Sequence, residues 1–561
     1  MLKSALCLVC AVAMLAGPAT AQSANPPDSA ALLQELESMK KRIEELEAQL
    51  KAAQAQKDAE AKPAAVTARP GFVLPRINPA SLSGDWGPTP VLAFKSPPAP
   101  APVTAPVPTP APAPAAAPVE EATTGPLADT QPPAPPQKQE ASEPFAFADF
   151  TWLTGNSRNT ENPGETSFFT PEIRADTDYV YDYNHPADHT IGGSSEVFRA
   201  GEVQLTQLGV GGDFHWKNVR ARLMTQFGMY AETTPRNDAS PARGGWDLDT
   251  AYRYISEAYG GYHFDVLHGI NVDAGIFMSY VGLFSYYQFD NWAYQPSYVS
   301  SNTPWFFNGV RVQIFPSDKL KIEPWFVNGW QSYGVFNKAP GLGMQILYRP
   351  NGWLSILGNQ YEGTDTLGIP GRHRVHTDDS VQIKYYDKPG RGFDKAAMTM
   401  TVDAGCEFGA DSGVSCHNGT ALKPSQYFLG FMSYQRFWFD RDLFAITLGG
   451  GAINNPGRYL VLLPPINGAT AITGSPYFTE NPGDPYKAWD TSFTFDYMPK
   501  QFITWRWEFS HRSSNVPYFT GPGGITPPGG DNGNPGEIVP GWSPDLSKHE
   551  NRWLIALLVK L

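Results

Sequence analysis

The feature that most constrains this chain is residues 252–333, where four apolar and aromatic segments alternate with a short turn, a long loop and another short turn. Each segment runs roughly ten to fourteen residues, the length of a tilted membrane-spanning strand. Residues 502–512 show the two faces: Ile503, Trp505, Trp507 and Phe509 point one way, and Thr504, Arg506, Glu508, Ser510 and Arg512 the other. A soluble sandwich would also alternate. It would not combine aromatic strand ends with a face of full charges, because a packed core rarely tolerates so many buried ions. The pattern predicts an all-β, antiparallel transmembrane barrel with lipid outside and water inside.

Sixteen such segments are expected, near 172–183, 202–215, 219–230, 251–264, 270–283, 305–315, 319–331, 341–349, 352–361, 374–386, 395–407, 425–439, 442–453, 489–498, 502–512 and 550–561. Short connections alternate with long ones. Short turns belong on the periplasmic side and long loops outside, so an even count leaves both barrel ends in the periplasm. Residues 145–154 also alternate, but a seventeenth strand would break that parity. They are expected inside the lumen or along its rim.

Aromatic residues make up 13% of the 561-residue chain and charged ones only 17%, while 53 Gly and 53 Pro mark frequent turns. Beyond the N-terminus no run is long and apolar enough for a membrane helix. The net charge of -13 lacks the basic footprint of nucleic-acid binding. Residues 1–21 read as a secretory signal: Lys3, an apolar run over 5–16, then Ala19-Thr20-Ala21. Its removal leaves Cys406 and Cys416, expected to pair in an oxidising compartment. A metal there would have only His417 nearby, and no cofactor motif is present.

Residues 22–62 hold a heptad, with Leu36, Ile43 and Leu50 at one core position and Leu32, Met39 and Leu46 at the other. A short oligomeric coiled coil is expected, against the alternative of a lone amphipathic helix, which is marginal at this length. Residues 63–144 form a Pro/Ala-rich linker, with 21 of the 53 prolines between 63 and 140. Such a tract stays extended and reaches on the order of 200 Å. Residues 145–561 are the barrel.

Residues 260–334, from GGYHFDVLHGINVDAGIF to WFVNGWQSYG, together with DFTWLTGNSR at 149–158 and GVGGDFHWKNVRARLMTQFGMY at 209–230, resemble the β-barrel outer-membrane porins of the OmpL-like group. The resemblance covers roughly 145–561 and implies a pore in a Gram-negative outer membrane. Porins commonly assemble as trimers, whereas the Ile/Leu heptad favours a dimer. The last strand resembles the signal read by the outer-membrane assembly machinery, but ends in Leu561 rather than an aromatic residue. The partners expected are outer-membrane lipid, that machinery, further copies of the chain, and peptidoglycan through the N-terminal segment. Nucleic acid is not among them.

The period of two directs Arg174, Asp176, Asp178, Arg220, Arg222, Arg253, Glu257, Arg311, Lys321, Glu323, Asp378, Lys384, Arg436, Arg506, Glu508 and Arg512 into the lumen, a mildly cationic wall. Opposed rows of charge would screen solutes by size, charge and orientation. Residues 285–304 form the third long loop. Loops of that rank in general porins fold inward, which would bring Asp290, Trp292, Tyr294 and Tyr298 to the constriction, where the aromatic rings could stack on sugars. The bland alternative is that they pack on the rim. None of the ten His stands in a catalytic motif. The expected function is passive diffusion of small hydrophilic solutes; the alternative is a plugged barrel serving as an anchor or surface receptor.

Overall fold

The computed structural model describes residues 40–41, 143–193, 196–235, 238, 246–335, 339–365, 371–409, 415–417, 419, 425–457, 486–526 and 544–561. The chain divides into two units, Met1–Ala128 and Asp129–Leu561. In the first, Lys40 and Lys41 are helical and exposed. The signal segment, the heptad positions Leu32, Leu36, Met39, Ile43, Leu46 and Leu50, and the Pro/Ala tract up to residue 142 lie outside the described residues.

In the second unit sixteen antiparallel strands close into a barrel. They are β1 (Phe169–Asp182), β2 (Val203–Trp216), β3 (Val219–Thr225), β4 (Ile255–Phe264), β5 (Ile270–Met278), β6 (Phe306–Ser317), β7 (Leu320–Val327), β8 (Gly341–Asn351), β9 (Leu354–Gly363), β10 (His373–Asp387), β11 (Phe393–Phe408), β12 (Tyr427–Phe439), β13 (Phe444–Asn455), β14 (Tyr486–Lys500), β15 (Ile503–Ser514) and β18 (His549–Lys560). Strands β16 (Phe519–Thr520) and β17 (Leu546–Ser547) form a separate ladder within the last long connection. Closure joins β1 to β18, with Arg174 opposite Lys560 and Asp182 opposite Arg552.

One rim carries only short connections, the other only long ones, as the alternating spacing requires. Side chains alternate across the wall. Along β18, Trp553 and Ile555 are exposed on the outer face while Leu554, Ala556 and Leu558 are buried. Along β1, Tyr179 and Tyr181 face out and Asp176 and Asp178 are buried within.

Four strands are shorter than the sequence suggests. β3 stops at Thr225, and β4 starts at Ile255 because Asp247 and Asp249 both accept the Thr250 amide and wind Leu248–Tyr252 into a helix. β7 ends at Val327 and β5 at Met278. Just past β5, Gly282 takes φ +104°, a conformation that L side chains avoid, and the chain turns into the barrel.

That inward loop gives the β12 side of the interior a dry core. Trp292, Tyr298 and Val299 pack on the inward Phe428, Met432, Tyr434 and Trp438 of β12. Trp152 joins them from the opposite rim. The expectation of a wet interior all round is corrected here, because the loop's aromatic rings find an apolar wall and bury against it.

Residues 145–161 cross the short-turn mouth. Phe145 donates its amide to Asp318 O in the β6–β7 turn at 2.7 Å. Trp152 Nε1 donates to Gly352 O in the β8–β9 turn at 3.1 Å. At the far end Asn159 Nδ2 donates to Gln501 O in the β14–β15 turn at 2.9 Å. Those outer anchor points lie eight strands apart in a ring of sixteen, so the segment runs across the opening rather than along its edge.

Candidate functional site

The inward loop is held along its backbone by buried ions. Arg436 Nη2 and Arg506 Nε meet the two oxygens of Asp496 at 2.8 and 2.7 Å, and all three side chains are 0% exposed. The donors left over reach loop carbonyls. Arg506 Nη2 donates to Asn291 O at 2.7 Å, and Arg436 Nη1 to Trp292 O at 3.0 Å. The Glu508 carboxylate accepts the amides of Tyr294 and Gln295 at 2.6 and 2.8 Å. Asp490 takes the Ser297 hydroxyl at 2.7 Å, and Arg512 stacks over the Tyr298 ring at 4.4 Å. Charge-assisted bonds of this kind are the strong ones. They bind one named loop and leave no lone buried ion at these positions.

At the loop's deepest point Asp290 accepts from Arg174 Nη1 at 2.8 Å and Lys560 Nζ at 3.3 Å. Burial alone would raise the Asp290 carboxyl, but Arg174 and then Lys560 outweigh it and hold it below the usual range. Of the four residues expected at the constriction, Asp290 alone keeps partial solvent contact. Trp292, Tyr294 and Tyr298 are buried, and Tyr294 donates to Asp176 and Asp178 at 2.9 and 2.8 Å. Stacking of sugars on these rings is therefore corrected: their faces are already covered.

On the opposite arc of wall, β1 to β8, the half next to the short turns keeps solvent, whereas nearer the long loops Phe277, Tyr280, Phe307, Trp325 and Val327 pack together and are buried. Arg222 meets three carboxylates, Asp213 at 2.7 Å, Glu172 at 3.0 Å and Glu257 at 3.0 Å. Arg220 and Arg311 share Asp273 at 3.2 and 3.0 Å. Lys321 meets Glu323 at 2.9 Å, and Trp325 donates to the other Glu323 oxygen. Side-chain exposure reaches 29% at Arg220 and 48% at Asp213, against zero at the Arg436 cluster, so water reaches this arc. The guanidinium of Arg311 also lies 4.6 Å from the Tyr259 and Phe277 rings, which fixes it in place.

Fifteen of the sixteen expected lining residues point inward. Among them, Asp378 is buried in register with Asp403, which His376 meets at 2.5 Å. Lys384 stands 5.8 Å over the Trp152 ring. Arg253 is the exception: it follows the helix Leu248–Tyr252 and pairs with Glu232 at 2.7 Å on the surface. The cationic wall is also corrected. Glu172, Asp213, Asp273, Asp403, Glu407, Asp490, Asp496 and Glu550 face inward too, with Arg374, Arg552 and Lys560, and bring the two signs close to balance. Carrying the same alternation through every strand would have found them.

Two features of the long-loop end lend themselves to measurement. Cys406 and Cys416 form a disulfide, Cα atoms 5.4 Å apart. Reduction is expected to cost about 2–3 kcal/mol through loop-closure entropy, seen as a lower melting midpoint with conductance unchanged, since β11 directs Cys406 away from the lumen. Glu196, in the first long connection, lies beneath the inward loop, bonded to Gln295 and to Ser301 at 3.3 Å. Burial pushes its carboxyl up to about 7, with Arg512 opposing. A raised carboxyl favours the protonated form when folded. Its contribution is therefore whole below pH 4.5 and lost as pH rises from there through about 7. Glu196→Gln should flatten that part of the melting-temperature profile; an unchanged slope between pH 5 and 8 would refute the assignment.

Among the described residues no group of three or more His, Cys, Asp or Glu could hold a metal ion. A family model described as "Putative beta-barrel porin-2, OmpL-like" matches residues 174–532. Among solved structures, the anion-selective porin from Comamonas acidovorans aligns with 70% of this chain and 99% of its own, at 9% identity and a TM-score of 0.40. The outer membrane channel DcaP of Acinetobacter baumannii aligns with 70% and 96%, at 12% identity and 0.38. OprB of Pseudomonas putida aligns with 70% and 94%, at 10% identity and 0.40. A search of curated protein sequences finds no match.

Proposed function

The chain belongs to the beta-barrel porin-2, OmpL-like family of outer-membrane barrels, and from that premise we propose that it is a channel for passive diffusion of small hydrophilic solutes. The observation that carries this reading is the solvated short-turn half of the arc from β1 to β8, where carboxylates and guanidinium groups alternate near the tip of the inward loop. Such a path passes water and small polar molecules and sorts them by size and orientation of charge. Asp290, Arg174 and Lys560 bound its narrow part, and no sugar-stacking ring is needed for that role.

The short-turn rim faces the periplasm in this reading, with the N-terminal helix and linker on that side, in reach of peptidoglycan. Copies associate through the barrel wall and the helix. Conductance of the purified protein in planar bilayers tests the proposal: discrete ohmic steps are expected. The second reading, a plugged barrel used as an anchor, is favoured by one observation, residues 145–161 across the mouth. A folded protein that never conducts would support it instead.

A further inference from the structure

The segment across the mouth is unevenly held. Its centre is fixed: Trp152 is fully buried, and Gly155 donates to Asp290 O at 2.9 Å while its carbonyl accepts Arg436 Nη2 at 2.7 Å. Gly155 is where segment and inward loop meet backbone to backbone. A Cβ there would lie 2.4 Å from both Phe289 O and Asn291 O, so only glycine fits. Asn156 Nδ2 then donates to Thr504 Oγ1 at 3.0 Å and Ser157 to Asp442 at 3.0 Å.

The leading end differs. Ala146, Phe147 and Asp149 are exposed. Phe145, Phe147 and Phe150 rest on the rim through the cations of Lys319 and Arg349, at 4.7 to 5.1 Å. Cation–π contacts at a partly exposed rim are weak, about 1 kcal/mol each. The chain upstream therefore joins the strap at its most easily detached point.

We propose that residues 145–161 form a strap that narrows the periplasmic mouth of the channel and that its leading part, 145–152, is releasable, peeling from Phe145 inward with Trp152 as its latch. The inference rests on the channel reading above. Peeling of the leading part back to Trp152 needs no change in the barrel wall, because its bonds to the turns at Asp318 and Gly352 are replaced by water when it leaves. Removing the latch ring should shift the strapped-to-free ratio on the order of a hundredfold toward release.

A cysteine pair tests this. A Cβ on Gly352 would lie 3.0 Å from the Ala148 Cβ, and moving the pair apart by roughly half to one ångström reaches disulfide geometry. In the full-length A148C/G352C protein, oxidation should hold the channel in its lowest conductance level and reductant should restore wild-type transitions, with wild type in the same reductant as control for the native disulfide. Trp152→Ala should spend most of its time in the highest level. Heat-modifiable migration on gels verifies that each variant is folded. Equal traces from oxidised pair, reduced pair and Trp152→Ala would overturn the strap and leave the channel standing. Silence from every variant, Trp152→Ala included, would overturn both.

Discussion

Asp496→Ala should destabilise the barrel by about 3–5 kcal/mol, the cost of removing one partner from a buried ion cluster. Arg436 and Arg506 would both lose their shared counter-ion at zero exposure, beneath a loop that admits no water. The guanidinium groups would have to abandon the carbonyls of Gln288, Asn291 and Trp292 to find solvent. The loop would be released with them. Urea unfolding in lipid vesicles should show the lost stability, and single channels should become larger and noisier. A midpoint within experimental error of wild type would mean that the cluster does not hold the loop.

Asp290→Asn should change selectivity more than any other isosteric substitution in the barrel. Lys560 would then face the path without its carboxylate, and Arg174 would keep only Glu172. A unit charge acting at about 4 Å through water is worth about 1 kcal/mol, or roughly fivefold in relative permeability. The reversal potential in a salt gradient should move toward anions by that factor. Arg220→Gln, on the exposed arc, should move it the other way by less, because Arg220 is partly solvated and screened. No shift with Asp290→Asn would place the narrow part elsewhere.

The barrel was legible because every strand must obey one period. Residues 502–512 put Trp505, Trp507 and Phe509 outside and Arg506, Glu508 and Arg512 inside, and β15 keeps that assignment. The contents of the barrel were harder to see. β12 carries large apolar side chains on both faces, with Leu429 and Phe431 outside and Phe428, Met432, Tyr434 and Trp438 inside beside Arg436. A wall strand of that kind signals that something packs against it from within, but the period alone does not say what. The inward course of the third long loop was expected. That its rings would be buried follows only from the partners it meets, which lie more than a hundred residues away in sequence. Arg253 was misplaced for a local reason: a capped helical turn replaced the first residues of a strand that looked continuous. The strap reads as an alternating strand in isolation. Only the count of sixteen, which left it over, hinted that it lay elsewhere.

The central claim is that water and small ions pass along the charged arc between β1 and β8. Conductance of the purified full-length protein in planar bilayers tests it most directly. Ohmic steps that scale with salt concentration and change their reversal potential with Asp290→Asn are the expected result. Bilayers that stay silent although the inserted protein is folded and heat-modifiable would contradict it.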